Sequence, residues 1–397
     1  MKKIQHQKNL NQKKVLLRLD LNVPLKNGLI TDETRIVKII PIIKFLIKKK
    51  TKVIIISHIG RPGGKKDENL SLKPVCKSLE KKLNLKIKLL YTNLYEIKRE
   101  DIENIFANQT YRIVVLENIR FYPEEEKNDV NFSKKLANLG EIYVNDAFSC
   151  SHRAHASVCE ITSFLPSYAG LQFQSELDAL KKITTEIKKP LTCIIGGSKI
   201  SSKINVIKNL IPKLNNLVIV GAMANNILEF KGYKIGKSLR ETNCKSIIKN
   251  IFNIAKRKKC LIIYPEDVLV GKSLQGKPQI KELDQIIDND IILDIGEKTI
   301  VKIKNIIQNS RTILWNGPAG YFENRSFANG SIEIAKKIIE KNINKSIYSV
   351  AGGGDTVALL NKVNGVKKFN FVSTAGGAFL QYLEGRNLPG INALNKL

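Results

Sequence analysis

Short apolar runs recur along the whole chain, each closed by a glycine, a proline or a polar cluster. Val15–Leu19, Val53–Ser57, Ile113–Leu116, Ile142–Asn145, Leu191–Ile195, Leu217–Val220, Leu261–Tyr264, Thr312–Trp315, Ile347–Ala351 and Asn370–Val372 are predicted as buried strands. Between them the apolar residues repeat at helical spacing, as over Ile36–Lys49, Ser133–Leu139, Ile200–Leu210 and Phe327–Glu340. Strand and helix alternating from end to end predicts an α/β fold, parallel sheets flanked by helices. The pattern breaks near residues 166–190. There Pro166 and Gly170 precede a helical stretch, Ser175–Lys188, that Pro190 ends. That stretch is predicted as an interdomain helix.

A chain of 397 residues has room for two or three domains with separate cores. No apolar run reaches membrane-spanning length, and Met1–Lys14 lacks the apolar core of a signal peptide, so a cytoplasmic protein is expected. Six cysteines at 76, 150, 159, 193, 244 and 260, with no CxxC pair, fit free thiols in a reducing compartment. The net charge of +30 raises the possibility of a polyanion partner. Lysine outnumbers arginine more than four to one, however, and the lysines are scattered rather than striped. No specific nucleic acid and no membrane partner are expected. Arginine is the informative cation, because five of the twelve fall within the motifs below.

Ligands of open α/β sheets bind beyond the carboxyl ends of the strands, and there the unusual residues cluster. The first half carries Asp20-Leu-Asn22-Val-Pro24, His58-Ile-Gly-Arg61-Pro62, Glu117-Asn-Ile-Arg120-Phe, and Asp146-Ala-Phe leading into Ser151-His152-Arg153-Ala-His155. Guanidinium forks with one Asp and one Asn suit a small, multiply charged anion. The second half carries Gly196-Gly-Ser-Lys199, Gly221-Ala-Met-Ala, Pro265-Glu-Asp267, Asn316-Gly-Pro318, Gly352-Gly-Gly-Asp355-Thr356 and Ser373-Thr-Ala-Gly-Gly377. Glycine turns opening helices, with lysines and an aspartate, suit a polyphosphate and a divalent metal. In Leu191–Lys203 the strand, glycine turn and helix start aim backbone N–H groups at an anion. A helix beginning near Lys199 would put Lys199 and Lys203 on one face. Two domains holding two different anions match what phosphoryl transfer requires.

Other chemistries fit less well. No GxxxxGK[ST] loop occurs; Gly232-Tyr-Lys-Ile-Gly236-Lys-Ser238 is one residue short and follows a helical pattern. No GxGxxG is present. Cys150, His152, His155 and Cys159 have no usual zinc spacing, and Arg153 among them would repel a metal. His58, three residues before Arg61, reads as an anion ligand rather than a general base.

Together the motifs resemble the phosphoglycerate kinase family over essentially the whole chain. They are Arg18-Leu-Asp-Leu-Asn-Val-Pro24, His58-Ile-Gly-Arg-Pro62, Leu116-Glu-Asn-Ile-Arg120-Phe, His152-Arg-Ala-His-Ala-Ser157, Gly196-Gly-Ser-Lys199 with Lys203, Ile313-Leu-Trp-Asn-Gly-Pro318 and Gly352-Gly-Gly-Asp-Thr356. The resemblance implies two Rossmann-like domains, 1–170 for phosphoglycerate and 190–377 for nucleotide. A helix and hinge over 171–189 would join them, and a tail over 378–397 would return to the first.

It also implies that Arg61, Arg120, Arg153 and His58 meet the phosphate of 3-phosphoglycerate or 1,3-bisphosphoglycerate. Asp20 and Asn22 would hold its hydroxyl and carboxylate end, and Arg35 matches the family's catalytic arginine. ADP or ATP would be held by Lys203, Gly221, Asn316, Glu323 and the turn Gly352, Gly353, Gly354, Asp355 and Thr356, with Asp355 linked to Mg²⁺. Lys199 would follow the transferring phosphoryl group, with Gly353 and Gly376 contributing at the catalytic turns. The acceptor is an ionised carboxylate, so transfer in a closed interdomain cleft by a monomer would need charge neutralisation rather than a base.

The chain departs from the family pattern at Val220 and Ala375, where glycines are expected, and at Ser149-Cys150-Ser151. A side chain where the backbone requires φ > 0 would weaken nucleotide binding. A catalytically impaired relative, on these departures, and a basic polyanion or nucleic-acid-binding protein, on the charge, are the competing readings.

Overall fold

The computed structural model describes residues 1–396. The chain forms two compact units, 1–177 with the segment from Asn387 onward, and Asp178–Arg386.

The first unit opens on β1 (Lys14–Arg18), a short hairpin of β2 (Leu25–Lys26) and β3 (Leu29–Ile30), α1 (Thr34–Lys48) and β4 (Lys52–Ile56). Next come α2 (Lys73–Leu83), β5 (Ile87–Leu90), α3 (Arg99–Ala107), β6 (Ile113–Leu116), α4 (Pro123–Glu126) and α5 (Val130–Ala137). The series ends with β7 (Ile142–Asn145) and β8 (Ser167–Ala169), and α6 (Leu171–Thr184) crosses the boundary, its residues from Asp178 belonging to the second unit. Six strands form one sheet in the order β5-β6-β4-β1-β7-β8, and every pairing is parallel. Because helices cover both faces, β1, β6 and β7 are buried along their full length and read as continuous apolar runs. Alternation splits the core. Val15, Leu17, Val53 and Ile55 pack with Ile39 and Ile43 of α1 and Leu79 of α2, while Leu16, Ile54 and Val114 pack with Ile102 of α3 and Phe132 of α5. Arg18 stands opposite Ile56 of β4 and Asn145 of β7, so the loops carrying Asp20, His58 and Asp146 leave the sheet at one edge.

The second unit runs β9 (Leu191–Ile195), α7 (Ile204–Leu210), β10 (Asn216–Ile219), α8 (Ala222–Phe230), α9 (Lys245–Lys258) and β11 (Leu261–Ile263). Then come β12 (Asp267–Gly271), β13 (Gln279–Glu282), β14 (Ile291–Ile295), α10 (Glu297–Gln308) and β15 (Thr312–Asn316). It closes with α11 (Asn329–Ile343), β16 (Tyr348–Gly352), α12 (Gly354–Lys362), β17 (Phe371–Ser373) and α13 (Gly377–Leu383). Its main sheet is parallel, in the order β11-β10-β9-β15-β16-β17. A three-stranded antiparallel sheet, β13-β12-β14, adds to it. Finally α14 (Pro389–Asn395) lies in the first unit, where Gly390 N donates to Ser151 O at 2.9 Å. A Cβ on Gly390 would stand 2.8 Å from Ser151 Oγ, so this close approach requires a glycine.

Each apolar run read as a strand lies in one of the two parallel sheets. Three boundaries differ from expectation. The helix expected over Ser175–Lys188 begins at Leu171 and ends at Thr184, because Asp146 caps it from another strand end, its Oδ1 accepting from Phe173 N at 2.9 Å. The tail expected from 378 starts later: α13 stays with the second unit and the chain re-enters the first at Asn387. The stretch from Ile200 is a 3₁₀ turn over Ser201–Lys203 before α7, so Lys199 and Lys203 do not share an α-helical face.

Candidate active site

In the first unit the carboxyl edge of the sheet gathers cations. Arg35, in the first turn of α1, forms an ion pair with Asp20 in the loop after β1. Asp20 also accepts from Ser149 Oγ at 2.5 Å and from Asn22 N at 3.2 Å. Asn22 Oδ1 accepts from Gly60 N at 2.9 Å, which ties the β1 loop to the one carrying His58 and Arg61. Arg120 follows β6 and donates through Nη1 to Gly60 O at 3.1 Å. Its Nε is buried and makes no hydrogen bond, with the Glu126 carboxylate 3.5 Å away. Arg153 Nε donates to His152 Nε2 at 3.2 Å, and Arg61 is exposed.

The field at this edge is strongly positive. Burial pushes His155 down to about 3, reinforced by Arg120, Arg18 and Arg153. Burial also lowers His152 and His58, with Arg153 and Arg18 respectively as the next cause. Three histidines held neutral beside Arg18, Arg35, Arg120 and Arg153 make a set of donors that suits an anion.

In the second unit three glycines at strand ends take positive φ and stand before helices: Gly221 (68°) before α8, Gly353 (97°) before α12 and Gly376 (54°) before α13. Lys203 reaches across to β15 and donates to Asn316 Oδ1 at 2.6 Å, while Asn316 Nδ2 donates to Gly352 O at 2.6 Å. Gly317 N donates to Thr356 Oγ1 at 2.7 Å. Burial lowers the Lys203 ammonium, and the Asp355 carboxylate partly restores it. A cleft of about 280 Å³ opens among Gly221, Leu239, Leu293, Pro318, Glu323 and Asp355. Its wall is apolar with carboxylates, which suits a flat heterocycle carrying hydroxyls and phosphates. Lys199 is exposed on the turn after β9.

Two N–H groups just after the Gly196–Lys199 turn are taken by a side chain of the protein. Glu241 accepts from Ser201 N at 2.9 Å, from Ser201 Oγ at 2.5 Å, and from the Ile200 backbone. Glu241 thus anchors the turn that carries both lysines. Its 40-residue separation from Ser201 left no local signal.

A sequence profile described as phosphoglycerate kinase matches residues 4–386. The chain belongs to the phosphoglycerate kinase family. It is similar to a phosphoglycerate kinase of Wolbachia sp. subsp. Brugia malayi (strain TRS), 46% identical over 98% of this chain and 97% of that one. It is similar in fold to the structure of phosphoglycerate kinase from Coxiella burnetii, with TM-score 0.90 and 37% identity over 99% of this chain and 98% of that one. The Pyrococcus horikoshii phosphoglycerate kinase structure gives a TM-score of 0.81 at 28% identity, covering 100% and 98%. As in other phosphoglycerate kinases by name, this places the chain among the phosphotransferases.

Each departure from the family pattern has a physical account. Val220 is fully buried in the core with Val218, Ile194 and Trp315, so its side chain does not line the cleft. Neither Val220 nor Ala375 has positive φ, and Ala375 is buried. Ser149 hydrogen-bonds Asp20, Cys150 Sγ lies 3.7 Å from Arg18 Nη2, and Ser151 receives α14. None of these residues has positive φ, and none lines the cleft among Gly221, Pro318 and Asp355.

Proposed function

We propose that this phosphotransferase catalyses reversible transfer of a phosphoryl group between 1,3-bisphosphoglycerate and ADP, giving 3-phosphoglycerate and ATP. The observation that carries this reading is the division of chemistry. Guanidinium groups, with a buried Arg120 Nε that makes no hydrogen bond, stand at the sheet edge of the first unit, and glycine-capped helices with the Lys203–Asn316 pair stand at that of the second.

On this reading Arg61, Arg120, Arg153 and His58 bind the phosphate of the acid, and Asp20 and Asn22 orient its hydroxyl and carboxylate end. The carboxylate is ionised at neutral pH, so no residue removes a proton. Arg35, held by Asp20, and Lys199 neutralise charge on the group in transit, as a loose transition state demands. Glu323 and Gly221 hold the nucleoside end and Lys203, Asn316 and the Gly352–Thr356 turn hold the phosphates, with Gly353 and Gly376 presenting N–H groups. One exposed carboxylate, Asp355, on the first turn of α12 beside the cleft fits Mg²⁺, which takes one or two carboxylates and completes its shell with phosphate oxygens and water. The ion would neutralise phosphate charge there. A cytoplasmic monomer acting in glycolysis fits this chemistry.

Titration calorimetry tests the assignment of sites. Arg120→Ala should weaken 3-phosphoglycerate and leave MgADP unchanged, and Lys203→Ala the reverse. Loss of both ligands in either variant, with the fold intact, would overturn the division.

A further inference from the structure

Behind the arginines of the first unit runs a line of buried polar groups that the proposed reaction does not employ. Glu125 of α4 accepts from Ser157 N at 2.8 Å and from Ser157 Oγ at 2.6 Å. Ser157 Oγ in turn accepts from Arg18 Nε at 2.9 Å. Arg18, the last residue of β1, donates through Nη1 to Leu19 O at 2.6 Å and sets Nη2 3.0 Å from His58 Nδ1. Glu125, Ser157 and Arg18 are 0% exposed and His58 is 3% exposed, so water offers no alternative partner.

A guanidinium has donors only, so His58 Nδ1 must accept. The proton of the neutral ring then sits on Nε2. Among the described residues no other hydrogen bond reaches the His58 ring, which leaves Nε2–H as its one remaining donor.

Resting on the reaction proposed above, we infer that Arg18, backed by Ser157 and Glu125, is a positioning residue. It locks His58 as the neutral Nε2–H tautomer, which binds the anionic end of the phosphorylated acid as a hydrogen-bond donor rather than as a cation. The surroundings agree. The charged and titratable groups facing the ring are Arg18, Arg120, Arg35 and His155, and burial together with them disfavours the imidazolium. An imidazolium would also set Nδ1–H against the Arg18 N–H, donor to donor. The site gains charge from its arginines and direction from its histidine, and its grip on the acid stays constant where a free histidine titrates.

Ring ¹⁵N shifts of the full-length protein, labelled at histidine, test this from about pH 5 to 8. His58→Gln assigns the His58 signals among the four histidines. His58 should show protonated Nε2 and bare Nδ1 throughout, with and without 3-phosphoglycerate, and Ser157→Ala should yield a mixture of tautomers. In turnover, His58→Gln, whose amide nitrogen can stand in for Nε2, should raise KM for the acid less than His58→Asn. Titration within that range, an Nδ1-protonated ring, or an Asn variant better than Gln would overturn the inference. A wild-type protein with the Nε2–H ring and no turnover of 3-phosphoglycerate would overturn the reaction and leave the role of Arg18 standing.

Discussion

Gly353→Ala adds one methyl and should damage the nucleotide side severely. At φ 97° the backbone lies where an L side chain is strained, at about 1–3 kcal/mol. The new Cβ would stand 2.6 Å from Asn316 Nδ2. That amide cannot step aside freely, because it bridges Gly352 O and Lys203 Nζ, each at 2.6 Å. Breaking the pair adds about 1–3 kcal/mol, one bond being charge-assisted. The smallest combined cost, about 2 kcal/mol, is about 30-fold in an equilibrium constant. The neighbouring Gly354→Ala is the control. It has no positive φ, nothing lies within 4 Å of its Cβ, and it opens α12, where alanine favours the helix. Calorimetry with MgADP, alongside urea unfolding, separates the outcomes. Gly353→Ala should lose about 30-fold or more in affinity, or the equivalent in stability, and Gly354→Ala should lose no stability. Two variants indistinguishable in both measurements would refute the claim that this turn is built on bare backbone.

Three further outcomes follow from the same geometry. Arg35→Ala and Lys199→Ala should each lower kcat by about 10³-fold or more while circular dichroism and unfolding midpoints stay near those of the wild type. Burial pushes Asp146 up to about 8, against an ordinary carboxyl near about 3.9. The folded state therefore keeps a proton that the unfolded state loses, and stability should fall as pH rises from about 4 to about 8. Asp146→Asn, which can still accept from Phe173 N, should flatten that slope in urea midpoints measured across the range, and an unchanged slope would count against it. Glu241→Ala should release the Ser201 turn and lower kcat with little effect on the unfolding midpoint, whereas Glu241→Gln should retain part of the rate.

The sequence revealed what is local or periodic. The second parallel sheet and four strands of the first were legible because strands buried on two faces read as apolar runs, whereas the short edge strands β5 and β8, only partly buried, were not; the arginines and glycines stood out because each follows such a run. The antiparallel strands β12–β14 were not legible. They are partly exposed, as Ile280 is, and their pairings lie across turns with no hairpin signature. Partners distant in the chain were hidden too. Arg18 read as part of a motif, but its line to Glu125 spans 139 and then 32 residues. The turn and helix start within Leu191–Lys203 read as an anion site, and only the fold brings Glu241 to the N–H groups of Ile200 and Ser201. Val220 and Ala375 read as obstacles at glycine positions, and the backbone places both side chains in the interior.

The most direct measurement of the central claim is ADP formation from MgATP by the purified protein, with and without 3-phosphoglycerate. The account predicts turnover that requires the acid and disappears in Arg35→Ala. A folded protein that binds both ligands yet forms no ADP, or forms it equally without the acid, would contradict it.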